Sequence, residues 1–113
     1  MSALRQPGPQ IVQRPATRPR MTADEVRQAS AERAAELSAL LHAMWHDAHG
    51  QWEIAHSIAQ NDHSTNGSWI HAYLHRKEGD AFNAEYWYRR AGKPPCDKSF
   101  ETEWVEIVTA LLP

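Results

Sequence analysis

A chain of 113 residues with 42% hydrophobic content is one domain by length, with material for a single modest core. Its net charge of −2 is uneven: residues 1–20 carry four arginines and no acid, and removing that +4 leaves −6 for the rest, which argues against a nucleic-acid binder needing many Lys and Arg contacts to phosphate. No apolar run approaches the roughly 20 residues of a membrane span, and a lone cysteine, Cys96, allows no disulfide within the chain and points to the cytoplasm.

Residues 1–20 hold Pro7, Pro9, Pro15 and Pro19 among their arginines. Proline fixes φ and offers no amide hydrogen, so this stretch reads as a disordered arm, with residues 21–113 as the helical domain. The N-terminus lacks the apolar segment of a secretory signal.

Thr22 followed by Glu25 predicts a capping box at the start of a first helix. Val26, Ala34, Leu37, Leu41, Met44, Trp45 and Ala48 fall on one helical stripe, and Gly50 marks its end. The reading is one long helix from Thr22 to Gly50. A second helix runs from Gln51 to Gln60, with Trp52, Ala55, Ile58 and Ala59 as its apolar face. The polar cluster from Asn61 to Gly67 reads as a loop. A third helix covers Ser68 to Glu78, with Trp69, Ile70, Tyr73 and Leu74 on one apolar arc, and a fourth Asp80 to Ala91, the two folded back on each other at Gly79-Asp80. A fifth begins near Ser99 and carries Trp104, Ile107, Val108, Leu111 and Leu112. No stretch alternates with period two, so the fold is all-α with about five helices. The acid pairs Glu101/Glu103 and Glu103/Glu106 read as a solvated helix face.

Gly50-x4-Ala55 is echoed by Gly79-x4-Ala84, 29 residues later. A glycine at a tight turn followed by a small residue in the next helix suggests helical pairs repeated in an array. The second unit resembles a tetratricopeptide repeat. Ala72, Gly79, Ala84, Tyr88 and Ala91 fall at the small, turn and aromatic positions, with Pro94 or Pro95 near the terminal proline. That resemblance implies antiparallel hairpins in a short array and a groove for a protein or peptide partner. The run from Trp69 to Gly92 also resembles small bacterial proteins sharing an HRKEGD-x-x-NA-x-YWYRRAG segment, which implies no particular activity.

Two kinds of site follow from the residues. The first is a binding face around the Gly79-Asp80 turn, built from His71, His75, Arg76, Asp80, Asn83, Tyr86 and Arg90. Asp80 reads as an N-cap that also pairs across the turn with Arg76 or His75. This makes the protein an interaction module for a protein, peptide or small ligand, without cofactor and not an enzyme. The alternative is a histidine-liganded metal protein, with zinc as its ion and hydrolysis as its chemistry. Seven histidines is a high count. His42, His46 and His49 share a narrow arc of the first helix, and His71 and His75 are spaced i, i+4, near enough to share one zinc. Two such groups on facing helices would supply four ligands. No HExxH occurs, there is no glycine-rich phosphate loop, and Cys96 reads as an unreactive thiol.

Overall fold

The computed structural model describes residues 21–113; the arm assigned to residues 1–20 lies outside them. The described residues form seven α-helices and no strand: α1 (Ala23–Gln28), α2 (Ala31–Ala34), α3 (Ala39–Ala48), α4 (Trp52–Gln60), α5 (Thr65–Lys77), α6 (Ala81–Arg90) and α7 (Phe100–Leu111). None is long and apolar enough to cross a membrane.

The capping box is present: Thr22 Oγ1 accepts from the Glu25 amide, and Glu25 Oε1 accepts from the Thr22 amide. The single long first helix is not. It breaks into α1, α2 and α3, because Ser30 and Ser38 each turn a side-chain oxygen onto an amide three residues on, at Arg33 and Leu41. A serine that satisfies an orphan amide this way starts a new helix rather than continuing the old one. The indole of Trp45 fixes the first break by donating to the Ala29 carbonyl at 2.9 Å. The loop read between Asn61 and Gly67 is also shorter than expected, since Ser64 caps α5 and the helix is under way by Thr65.

Gly50 and Gly79 both have positive φ, +77° and +88°. At the second turn the Asp80 amide donates to the His75 carbonyl and the Gly79 amide to that of Arg76. This 6→1 and 5→2 pair closes α5 and needs a residue without a Cβ clash at Gly79. Ala55 and Ala84, each five residues after its glycine, are buried. Their small size lets α4 pack on α3 and α6 on α5.

Helix α5 is the centre of the core and packs against α3, α4, α6 and α7. Residues 67–74 are buried without interruption, so α5 is enclosed on all sides at its middle. The apolar arc read for this helix is inside, with Ile70, Tyr73 and Leu74 at 1% exposure or less. Helix α7 lies across α1, α3 and α5. Trp104 holds it there by donating its indole N–H to the Met44 carbonyl at 3.0 Å. Trp52 does the same between α4 and the end of α5, through the Leu74 carbonyl at 2.8 Å.

Candidate metal centre

Three polar clusters surround α5, and two are closed structural networks. Glu103 of α7 is 1% exposed. Its Oε1 accepts from Arg76 Nε and Nη2 at 3.1 and 2.9 Å, and its Oε2 accepts from the Trp69 indole at 3.1 Å. The Tyr88 hydroxyl lies within reach of both oxygens. The reading of Glu103 as part of a solvated face is therefore wrong. Helix α7 turns this carboxylate inward on the same buried face as Trp104 and Ile107, where four donors compensate its charge. Asp47 is the second buried acid; Tyr73 donates its hydroxyl to it at 2.7 Å and Lys77 its ammonium at 3.0 Å.

The third cluster is made of imidazoles. Trp52 and His56 are one turn apart on α4, and their rings stack with centroids 4.8 Å apart. His71 and His75 are one turn apart on α5, and their rings lie 4.9 Å apart. Packing of α4 on α5 brings His56 Nε2 to 3.0 Å from His71 Nε2. His56, His71 and His75 each present a ligand nitrogen within 4.8 Å of the other two. Nitrogens bound at about 2.0–2.1 Å to a tetrahedral zinc stand about 3.3 Å apart, so the 3.0 Å His56–His71 side is close to ligand spacing and the other sides lie within 4.8 Å. Trp87 of α6 closes the group, its ring stacked on His71 at a centroid distance of 4.0 Å.

Burial favours the neutral form of His56 and His71. Burial first, and then the neighbouring His56 and His75, bring the His71 pKa down to about 4. His56 is lowered by burial and next by His75. A neutral imidazole has the free lone pair a metal requires. His75 is 12% exposed at its side chain and sits toward the rim, with Nδ1 3.2 Å from Glu78 Oε2. Glu78 and Asp80 each offer a carboxylate oxygen within 4.8 Å of a His75 nitrogen.

The residues read as candidates from sequence are divided by this arrangement. His71 and His75 are in the cluster. His42, His46 and His49 do not join it. His42 and His46 face each other at 4.4 Å, His46 Nδ1 meets Gln51 Oε1 at 2.7 Å, and His49 meets the Trp45 carbonyl at 2.8 Å. Among the described residues, no group of three possible ligands within 4.8 Å includes any of them. Arg76 is turned into the Glu103 network rather than onto a binding face, and lies over the Phe100 ring. Asp80 is the cap of α6, with Asn83 donating to it from its amide and its side chain. Those bonds lower the Asp80 pKa. Tyr86 is 41% exposed, and Arg90 donates to its hydroxyl at 3.4 Å. Cys96 is half-buried, and its thiol pKa is pushed up by burial.

His56 was missed because its partners lie 15 and 19 residues away in the chain. A sequence signal existed, since Trp52 and His56 are spaced i, i+4 beside the buried Ala55. No protein-family model matches the chain, and neither a curated protein nor a solved structure matches it.

Proposed function

We propose that this protein binds a single divalent transition metal, zinc foremost, through His56, His71 and His75. One observation carries the reading: three imidazoles from two helices converge within 4.8 Å, and two of them already meet nitrogen to nitrogen at 3.0 Å. Such a ligand set suits zinc, copper or nickel and is a poor match for magnesium or calcium. The lowered pKa of His71 supports it, because protons then compete little at neutral pH. Without metal, the His56–His71 hydrogen bond pairs the two Nε2 atoms with each other. Three protein ligands leave a fourth position for water or substrate, as in hydrolytic zinc sites. A cytoplasmic setting belongs to this reading and is supported by the single unpaired cysteine.

The test is the metal content of the untagged chain after zinc loading and desalting. The expectation is one equivalent per chain, reduced sharply in His56→Ala and His75→Ala. Metal bound equally by both variants would place the ion elsewhere, and none bound by the parent chain would end the reading.

A second reading is the tetratricopeptide-like interaction module, with hairpins α3–α4 and α5–α6 presenting a face to a peptide. It is favoured by Phe82, 83% exposed, one turn from the 41% exposed Tyr86 on α6. An exposed aromatic pair of this kind is a common anchor at interfaces. Phe82→Ser would then abolish peptide capture without changing the unfolding midpoint.

A further inference from the structure

We propose that Glu78 is the positioning carboxylate of the histidine site: it holds the proton of His75 on Nδ1 and so reserves Nε2 for the metal. The proposal rests on the metal reading above. His75 Nδ1 and Glu78 Oε2 are 3.2 Å apart. With the carboxylate as acceptor, the ring must carry its hydrogen at Nδ1, which leaves the lone pair on Nε2. His56 and His71 already face each other through their Nε2 atoms, so all three ligands would bind through the same ring position. A carboxylate on the far nitrogen of a ligating histidine fixes the ring and raises its basicity.

The fold sets Glu78 apart from its neighbour Asp80. Glu78 is the C-cap residue of α5, three residues beyond His75, and the Gly79 turn holds it there. Both carboxylate oxygens of Asp80 are engaged by Asn83. Glu78 meets no other side chain at hydrogen-bond distance among the described residues and is free to serve the imidazole. Its side chain is 37% exposed and that of His75 12%, so the carboxylate lies at the rim and the ring inside. This exposure also means that replacing Glu78 opens no cavity.

The experiment is a cobalt(II) titration of the untagged full chain, followed by the visible d–d absorption, with competition by zinc. Glu78→Ala is expected to weaken binding about 10- to 100-fold with unchanged band positions and intensity. Glu78→Gln, which keeps an acceptor without its charge, should fall between. Asp80→Ala serves as the control and should bind like the parent chain. The thermal midpoints of the metal-free Glu78 variants should match that of the parent. Parent-like cobalt affinity in Glu78→Ala would overturn the positioning role while leaving the site intact. A Glu78→Ala spectrum of altered coordination number would overturn it differently, by making Glu78 a ligand. A parent chain that binds no cobalt would remove the site itself, and this role with it.

Discussion

The Tyr88 hydroxyl sits 2.9 and 2.7 Å from the two carboxylate oxygens of Glu103, at a point where the acid is 1% exposed. Tyr88 is on α6 and Glu103 on α7, and Arg76 and Trp69 of α5 complete the shell. Replacing Glu103 leaves the largely buried Arg76 guanidinium without its counter-charge. Glu103→Ala should therefore destabilise by about 3 kcal/mol. Tyr88→Phe removes one hydrogen bond to a charged acceptor and should cost about 1.5–2 kcal/mol. Urea midpoints of the two variants check both values. A Glu103→Ala protein as stable as Tyr88→Phe would mean that water replaces the lost carboxylate.

Acid should weaken the metal-free fold through His71. Its pKa is about 4 when folded, against an ordinary value of 6.5. The unfolded chain thus takes up a proton first as pH falls. The contribution is complete above 6.5 and is lost as pH falls through the interval down to about 4. Unfolding measured across that interval in parent and His71→Asn proteins should show the parent losing more. Parallel curves would show that His71 is solvated like an ordinary surface histidine.

The alkaline limb should be governed by the two buried phenols. The Tyr73 pKa is raised by burial and then by Asp47, and the Tyr88 pKa by burial and then by Glu103. For groups held neutral in the fold, stability is intact below the ordinary phenol value near 10 and declines as pH rises beyond it. Ultraviolet titration should find the Tyr73 and Tyr88 phenols ionising only as the fold is lost.

Two glycines should respond differently to alanine. At Gly67 an added Cβ would strike the Asp62 carbonyl oxygen and crowd its side chain. Gly67→Ala should cost about 2 kcal/mol or more by forcing the loop off α5. At Gly79 a Cβ would meet nothing within 4 Å, but φ is +88°. Gly79→Ala should cost about 1 kcal/mol, the strain of a left-handed residue. Asp80→Ala, which removes the α6 cap, belongs in the same range. Chemical denaturation ranks the three, and a Gly67→Ala protein milder than Gly79→Ala would contradict the close approach.

The helices that bury a single stripe were legible in the sequence, because periodicity reports which face is inside. Trp69, Ile70, Tyr73 and Leu74 were placed inside on that basis, and the glycine turns at Gly50 and Gly79 follow from residue type alone. Ser30 and Ser38 were overlooked because the apolar period runs through both breaks; only their oxygens betray a new start. Two of the three cluster histidines were visible as the i, i+4 pair His71 and His75. His56 reaches it through tertiary packing of α4 on α5, which no local spacing encodes. Glu103 looked solvated because its neighbours Glu101 and Glu106 are acids, and the partners that compensate its charge come from other helices.

The placement of polar side chains along α5 also bears on how the chain comes apart. Trp69 and Arg76 reach α7, His71 reaches α4, and Tyr73 and Lys77 reach α3. A slip of this helix by a single residue would turn each of these groups through about 100° and break all three connections at once. The apolar core tolerates small adjustments in a way that these directional contacts do not. Helix α5 is thus keyed in one register against three neighbours, and separating it from α3 or α7 unpairs the buried carboxylate of Asp47 or Glu103. Hydrogen exchange should accordingly report one common opening free energy for the central amides of α3, α5, α6 and α7, in place of the graded fraying of a stack of independent repeats.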